Sequence, residues 1–444
     1  MEVSLQEILD AREARAQKQQ LLLRQYQKPL LCFTMNIPGP KKFDRDISIG
    51  FAVGNWLLRT ALAGRRILHR EQLRLPTGCE GYWVVDIPAR ELKQLAIDIE
   101  DTQPIGRLFD MDVMDIDGTK LSRQTLGYPR RQCLICERDA VLCARSRTHS
   151  VQELQDRTGF LLYLAARQWM TEYVAVRAYL AINKEVSTTP KPGLVDKNNQ
   201  GSHRDMGIQE FFASANALRP FFCRFTEEGF LTRELDAQET FRRIRPIGVE
   251  AEKAMYAATH GVNTHKGAIF SLGILCAAAG RLSPEFWQPE KLLEECAAMT
   301  RGLTEHDFAG ITMENAKTAG ERLYLQHGIT GVRGQAQTGF PAVRETGLPV
   351  LRKALARGLS FNEAGSITLL HLLTAADDTN LIARSDRQTQ LQVQAQIAGL
   401  LEDDPFPSRE VIEQLDKEFI EKNLSPGGSA DLLAVTYFLY FLEQ

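Results

Sequence analysis

The stretch "GRLFDMDVMDIDG", residues 106–118, places Asp110, Asp112, Asp115 and Asp117 within eight positions. In an extended chain residues two apart share a face, so Asp110 and Asp112 project together while Phe109, Met111 and Val113 turn towards a core. Two carboxylates on one face repel unless a cation lies between them. A helix-loop-helix calcium site is excluded by spacing, because it needs an acidic or amide ligand at every other position and glycine at the sixth. Counting from Asp110, Met114 holds the fifth place and Asp115 the sixth. A Mg2+ pair for nucleotidyl or phosphoryl transfer fits better, since one or two carboxylates plus substrate phosphates hold that ion. The competing reading is an exposed strand that runs into a polar turn, with Asp115 and Asp117 as turn residues. Arg107, Lys41 and Lys42 are cations able to oppose phosphate charge or to stand solvated at the surface.

"CLICERDAVLCARSRTHS", residues 133–150, presents Cys133, Cys136, Cys143 and His149 as C-x2-C-x6-C-x5-H. The set suits one tetrahedral zinc, although the six-residue gap is not a standard finger spacing and buried free cysteines are the alternative. Arg145 and Arg147 are available to an anionic substrate or an acidic partner.

Four further stretches concentrate polar chemistry. "TTPKPGLVDKNNQGSHRDM" (188–206) holds Lys191, Asp196, Asn198, Asn199, His203, Arg204 and Asp205 in a Pro- and Gly-punctuated segment, which reads as a substrate loop rather than a plain connection. "GVNTHKGAIFSLG" (261–273) sets Thr264, His265 and Lys266 before an apolar helix, where free N–H groups favour an anion; Asn263 or Thr264 as an ordinary N-cap is compatible with this. "AADDTN" (375–380) puts Asp377, Asp378 and Asn380 at the end of an apolar helix, a poor position for acids unless a metal is bound. "LSPGGSADLLAV" (424–435) has Gly427 and Gly428 ahead of Ser429, read as an N-cap, with Asp431 in the first turn; the glycines would also let a phosphate approach the backbone.

The elements that must carry these residues differ between the two halves. Up to about residue 150 the periodicity predicts helices over 5–26, over "ISIGFAVGNWLLRTALAG" and over "ARELKQLAIDIED", and strands at 29–37, 82–87 and "RLFDMDVMDI", an α+β pattern. From about residue 156 the pattern is helical, at "GFLLYLAARQWMTEYVAVRAYLAI" and over 248–258, 267–280, 363–375 and 408–422, with the polar stretches at helix ends. We therefore expect domains at 1–155 and 156–444.

Composition narrows the function classes. With 444 residues, 44% hydrophobic and 25% charged, the chain is long and apolar enough for two cores, which excludes disorder. A net charge of -3 supplies no basic field for nucleic acid or anionic membrane. The N-terminal stretch reads as a charged helix rather than a secretory signal, and the apolar run 267–280 is too short to span a bilayer. Eight cysteines, scattered apart from one cluster, argue against a disulfide framework, and the expected location is cytoplasmic.

"FTMNIPGPKK", "GRLFDMDVMD" and "RRQCLICERDAVLCARSRTHS" together resemble the citrate lyase holo-acyl-carrier-protein synthase family, the apo-citrate lyase phosphoribosyl-dephospho-CoA transferases, over about residues 1–155. The resemblance implies a nucleotidyltransferase-like α+β domain. It would transfer a phosphoribosyl-dephospho-CoA group to a serine of the acyl carrier (gamma) subunit of citrate lyase and release pyrophosphate. Asp110 and Asp112 would then hold Mg2+ and help activate the serine, with Arg107 on phosphate.

The four later stretches, with "RPIGVEAEKAM" between the first two, resemble the triphosphoribosyl-dephospho-CoA synthase family over about residues 160–444. This implies an all-α enzyme in which the ribose 2'-hydroxyl of 3'-dephospho-CoA attacks the anomeric carbon of ATP and expels adenine. For that chemistry Lys191, Arg204 and Lys266 are the expected charge-neutralising groups, Asp378 and Asp196 the metal ligands (Mg2+ in both halves), and His203 or His265 the acid or base. Asn199, Asp205, Thr264, Asn380, Gly427, Gly428 and Ser429 complete the expected substrate contacts. Where that family commonly continues Arg-Gly-Gly after "DTN", this chain has Arg384, Ser385 and Asp386, and Asp386 would repel a phosphate brought close to the backbone there. The product of the second half would be the donor for the first. The competing account is a zinc-stabilised module that docks the carrier without chemistry, fused to a nucleotide phosphohydrolase.

Overall fold

The computed structural model describes residues 2–443, which divide into two compact units, one running to Trp169 and the other beginning at Met170. The first unit is α+β. Its helices are α1 (Leu5–Tyr26), α2 (Arg45–Ala61), α3 (Ala89–Thr102) and α4 (Ala140–Ser146), and its strands β1 (Leu30–Met35), β2 (Ile67–Leu75), β3 (Gly78–Val85), β4 (Phe109–Met114) and β5 (Lys120–Leu121). Helix α5 (Val151–Ser187) runs through the division, and the boundary expected at 155–156 also falls inside it.

The strands form one sheet in the order β2-β3-β1-β4-β5, each neighbour antiparallel. Its main core face carries Leu31, Phe33, Trp83, Val85, Met111 and Val113 against Ile47 and Phe51 of α2, Leu92 and Ala96 of α3, and Leu161 and Leu162 of α5. Phe33 stacks on Phe51 at 4.9 Å and meets the edge of Phe109 at 5.1 Å. On the other face Leu30, Cys32, Tyr82, Val84 and Met114 pack under Leu22 and Leu23 of α1. The strand expected around Asp110 is β4, and the period-2 division of its residues holds, with Phe109, Met111 and Val113 buried and the two aspartates half-buried. Strand β2 was not expected. It is an edge strand whose apolar residues are separated by His69, Arg70, Glu71 and Arg74, and that mixture hides the alternation.

Side chains finish the sheet where β5 is too short to pair. Glu100 Oε1 accepts the Met111 N–H at 2.9 Å, Lys93 Nζ donates to the Met111 carbonyl at 2.8 Å, and Arg131 Nη2 donates to the Phe109 carbonyl at 2.6 Å. Glu100 and Lys93 are buried, so these bonds satisfy main-chain groups that water cannot reach. Arg131 lies 3.3 Å and Arg123 3.8 Å from Glu100 Oε2, and these cations oppose the upward push of burial on its carboxyl.

The second unit contains helices and no strand among the described residues. After α5 come α6 (Ile208–Leu231), α7 (Ala237–Ala258), α8 (Lys266–Arg281), α9 (Pro289–Met299), α10 (Leu303–Asp307), α11 (Ala319–His327) and α12 (Gly331–Gln337). They are followed by α13 (Leu348–Ala356), α14 (Phe361–Ala375), α15 (Thr379–Arg384), α16 (Arg387–Asp403), α17 (Arg409–Glu421) and α18 (Gly427–Glu443). Helix α8, the buried helix expected from 267–280, is the centre of the unit. It crosses α6 at glycines: a Cβ on Gly229 would lie 2.0 Å from the Ala277 carbonyl oxygen, and one on Gly280 2.1 Å from that of Thr226. That close crossing sets where the N-terminus of α8 ends up. No helix among the described residues is long and apolar enough to cross a membrane.

Glu100→Ala removes the partner of the Met111 N–H and of two arginines at once. It is expected to destabilise the first unit by about 3–5 kcal/mol, read as an earlier transition in denaturant unfolding. A shift within about 0.5 kcal/mol would show that β4 does not depend on this closure.

Candidate functional sites

A cavity of about 700 Å³ opens in the second unit where its four polar stretches converge. Lys191, His203 and Asp205 come from the loop after α5, Thr264, His265 and Lys266 from the start of α8, Asp377, Asn380 and Arg384 from around α15, and Ser425 and Gly427 to Asp431 from the start of α18. Glu185 at the end of α5, Glu252 and Tyr256 of α7 and Arg333 of α12 complete the polar wall.

Asp378 is the knot of this wall, and its role differs from the expected one. Its Oδ1 accepts the N–H groups of Asn380 and Leu381 at 3.0 and 3.1 Å, and its Oδ2 accepts the Ser429 N–H and Oγ at 2.7 and 2.9 Å. All four lone-pair directions are taken, which leaves none for a metal. The acid that looked misplaced at the end of α14 is the N-cap of α15, where the helix dipole favours it. Gly428 exists for this contact, since a Cβ there would lie 3.1 Å from the Asp378 carboxylate; likewise one on Gly427 would lie 2.8 Å from Asn380 Nδ2. The glycine pair therefore admits side chains of the same unit. Ser429 is not the N-cap expected, because α18 already begins at Gly427.

The loop 188–206 is organised by its own polar groups. Asp196, the second expected metal ligand, accepts the N–H groups of Lys191, Asn198 and Asn199 at 3.0, 2.7 and 3.2 Å. Asn199 donates to Asp416 at 2.8 Å and accepts the Gly201 N–H, holding the loop rather than facing the cavity. Lys191, 2% exposed, forms an ion pair with buried Glu185. Arg204 is exposed and outside the cavity wall, and Arg384 occupies the position expected of it. Asp386 is the exposed N-cap of α16, bonded to the Thr389 N–H at 2.7 Å, so the expected repulsion of phosphate has no counterpart in the wall.

Both histidines are held neutral. Arg384 Nη2 donates to His203 Nδ1 at 2.9 Å, so the ring proton sits on Nε2 and is directed at Ser425 Oγ, 2.8 Å away. Burial and the adjacent guanidinium pull its pKa from 6.5 to about 4. His265, 3% exposed, faces Ser214 Oγ through Nδ1 at 2.7 Å, and burial with nearby Lys191 lowers its pKa to about 3. Its Nε2 has no partner, and neither has buried Thr264 Oγ1 beside it. At the start of α8, where an anion was expected, stands a side chain of the protein itself: the Asp431 carboxyl group lies against Gly267, whose Cβ would come within 1.8 Å of Oδ2, the Ala268 N–H is directed at it, and burial with Glu185 and Asp378 nearby raises its pKa well above the usual carboxyl range. Lys266 points instead to Glu252, at 2.9 Å.

In the first unit Asp110 and Asp112 lie opposite Thr34 and Cys32 of β1, as the period-2 reading expects, and Glu80 of β3 pairs with Thr34 from the other side. Three carboxylates thus share one face. Burial, then Asp112, raises the Asp110 carboxyl above its usual range, while Asp112 Oδ2 meets Lys120 Nζ at 2.5 Å. Arg107 does not face them, because its Nη2 donates to the Gln132 and Cys133 carbonyls, the latter at 3.1 Å. Asp115 and Asp117 lie in the turn before β5, where Asp117 accepts the Thr119 N–H at 2.8 Å. Cys133, Cys136, Cys143 and His149 bring one donor atom each to within 4.8 Å of one another.

Comparison with known proteins adds the family. The model of the ATP:dephospho-CoA triphosphoribosyl transferases matches residues 171–444, and that of the apo-citrate lyase phosphoribosyl-dephospho-CoA transferases matches 3–162. Protein CitXG of Haemophilus influenzae is 37% identical over 98% of this chain and 96% of its own length. The chain belongs to the CitXG family. Protein CitXG of Leuconostoc mesenteroides is 32% identical over 98% of the chain and 97% of itself. The 2-(5''-triphosphoribosyl)-3'-dephosphocoenzyme-A synthase of Pectobacterium atrosepticum is 40% identical over 64% of the chain and 96% of its own length. As a CitXG protein the chain is a transferase with two family domains, and the cavity lies within the match to the triphosphoribosyl transferases.

The sequence reading missed Glu185, Glu252, Arg333 and Asp431 as cavity residues. All four sit on regular helices, where acids and arginines ordinarily decorate a surface, and no spacing signal distinguishes them.

The neutral histidines tie this CitXG protein's stability to pH. Unfolded, each titrates near 6.5; folded, at about 4 and about 3. Between pH 6.5 and 4 the unfolded chain binds more protons, so stability falls as pH drops through that window. From pH 7 to pH 5 each histidine is expected to cost about 2 kcal/mol. Thermal unfolding of His265→Gln across that range should show a smaller acid loss than the parent, and an unchanged loss would refute the neutral assignment.

Proposed function

We propose that this chain makes and attaches the citrate lyase prosthetic group. The second unit joins ATP to 3'-dephospho-CoA with release of adenine. The first unit, acting as a nucleotidyltransferase-like domain, transfers the product to a serine of the acyl carrier (gamma) subunit and releases pyrophosphate. The observation that carries the reading is the convergence of four separate helix-end stretches on one cavity within a chain that matches fused CitXG proteins end to end.

In the second unit Arg384, Lys266 and Arg333 border the cavity from three helices and suit a triphosphate. His203, with both ring nitrogens engaged, aims Arg384 and takes no part in proton transfer. His265 Nε2 and Thr264 Oγ1 are buried polar atoms available to the nucleoside. Asp378 has all four lone pairs filled and Asp196 three of its four filled by backbone N–H groups, so the pair does not suit Mg2+ and no step runs through a metal on them. In the first unit the donor set fits: Asp110 and Asp112 would hold Mg2+, which when bound neutralises phosphate charge. Lys120, exposed, meets Asp112 and is placed to receive the pyrophosphate.

The Cys133, Cys136, Cys143 and His149 set fits a structural zinc. Cys136 and Cys143 sulfurs stand 3.5 Å apart and His149 Nε2 is 3.3 Å from Cys136, close to the roughly 3.8 Å between corners of a zinc tetrahedron. The Ile135 N–H turns to the Cys133 sulfur, and the Cys133 N–H bonds the Arg138 carbonyl at 2.7 Å, closing the hairpin that presents the first two ligands.

With ATP and 3'-dephospho-CoA the protein should release adenine, and phosphate without adenine would favour a phosphohydrolase. Replacing Asp110 and Asp112 by Asn should slow carrier modification from supplied precursor at least 100-fold, on the order of what a lost charge-stabilising group costs; undiminished modification would point to a docking module. Elemental analysis should find one zinc per chain, lost in Cys133→Ser with Cys136→Ser, and equal zinc in both proteins would refute the site.

A further inference from the structure

Displacement of adenine by a hydroxyl moves protons at both ends. The 2'-O–H bond breaks as the oxygen bonds the anomeric carbon, and the carbon–N9 bond breaks with its electron pair passing into the base, which leaves most easily when a ring nitrogen is protonated. One group must therefore take a proton while another gives one. The polar groups of the cavity are mostly committed elsewhere. Both nitrogens of His203 are bonded, the four lone pairs of Asp378 are filled, and Asp377 pairs with Arg387 and Glu252 with Lys266. His265 is held neutral by burial and has no proton to give beyond its one ring N–H.

Asp205 is exposed, 4.0 Å from His203 Nδ1, which leaves two carboxyls enclosed by the unit, and they come from different helices. Glu185, 4% exposed, is the last acid of α5 and takes the Lys191 ammonium in a direct ion pair. Asp431, in the first turn of α18, lies deep in the unit yet keeps part of its surface open to the cavity. Its neighbours are Glu185 and Asp378, both acidic; it makes no ion pair among the described residues, and its one donor is the Ala268 N–H at the start of α8. Burial raises the Glu185 pKa, but the Lys191 ammonium in contact opposes that rise, whereas burial and two neighbouring acids push Asp431 well above its usual range with no cation to oppose them. Environments that separate two carboxyls in this way divide the roles of base and acid between them. A second feature of the wall also looks for a ligand: the His265 ring, 3% exposed, borders the same cavity with Nε2 unpartnered and Nδ1 turned to Ser214.

We propose that Glu185 is the base that takes the proton of the attacking 2'-hydroxyl and Asp431 the acid that protonates the departing adenine. This rests on the transferase reading of the second unit. One proton is taken and one given per turnover, and exchange through water returns the pair to its starting state, so no other reactant is needed. The charged and titratable groups around the pair are Lys191 and Asp196 from the loop after α5, His265 from the start of α8, Asp378 at the start of α15, and buried Tyr437 of α18, whose hydroxyl burial and Glu185 hold protonated.

The test uses ATP and 7-methyl-ATP, whose base departs as neutral 7-methyladenine without receiving a proton. Wild-type release of adenine from ATP and dephospho-CoA is the control for the transferase reading itself. With ATP, Asp431→Asn should lose at least about 100-fold in kcat with KM for ATP within about threefold. With 7-methyl-ATP it should return to within about tenfold of wild type, whereas Glu185→Gln should stay impaired with both. Carrier modification from supplied precursor, which uses the first unit of the same chain, reports that each variant is folded. Should Asp431→Asn not fold, the wild type decides: its alkaline loss of kcat with ATP should vanish with 7-methyl-ATP. The assignment is overturned if Asp431→Asn keeps kcat within threefold, if both donors are slowed alike, if 7-methyl-ATP rescues Glu185→Gln instead, or if the alkaline limb persists with 7-methyl-ATP.

Discussion

The buried carboxylate of Asp378 is the contact on which the second unit's cavity depends. One of its oxygens caps α15 and the other holds the first turn of α18 through Ser429, so two helix starts distant in sequence are fixed by one group. Two residues beyond Ser429 is Asp431, whose carboxyl group in turn rests on the first turn of α8. A chain of side chain to helix N-terminus contacts therefore runs from α15 through α18 to α8, and each link satisfies N–H groups that a helix cannot satisfy itself. The glycines along it, Gly267, Gly427 and Gly428, are where a side chain meets a backbone closely: a Cβ would lie 1.8 and 2.8 Å from its neighbour at the first two and a tight 3.1 Å at Gly428.

The two units use buried charge differently. In the first, Glu100 and Lys93 are spent on the main chain of β4, and every partner is within the fold. In the second, Glu185, Lys191, His265 and Asp431 line one cavity, with Asp196 and Asp378 bonded to residues of its wall and atoms of His265 and Thr264 left unpaired. Unmet polar atoms and crowded acids cost stability, and a fold that retains them at a cavity gains binding and proton transfer there.

Within the first unit the cysteine hairpin and the aspartate strand are mechanically joined. Arg131, just before Cys133, donates to the Phe109 carbonyl on β4 and lies beside Glu100, while Arg107, just before β4, donates to the Cys133 carbonyl. Arg107, expected from sequence to oppose phosphate, instead joins Arg131 in cross-linking the hairpin to the strand that carries Asp110 and Asp112. A metal on the hairpin would therefore stiffen the aspartate face as well.

Local periodicity was enough to read α1, α2, α3, β1, β3 and β4, the helical character of the second unit, and the common face of Asp110 and Asp112, because each depends on residues within a few positions. The four polar stretches were legible as a group for the same reason: Gly, Pro and capping residues mark helix ends wherever they occur. The job of each residue within them was not. Whether Asp378 holds a metal or two helix ends, whether Arg204 or Arg384 faces the cavity, and whether Gly427 and Gly428 admit a phosphate or Asn380 and Asp378 depends on segments tens to hundreds of residues apart. Glu185 and Asp431 stand more than two hundred positions from one another and look in sequence like ordinary helix acids. Only the tertiary structure brings them to one cavity, because burial and the charge of neighbours, which decide a carboxyl's protonation, are properties of the packed unit and not of the chain.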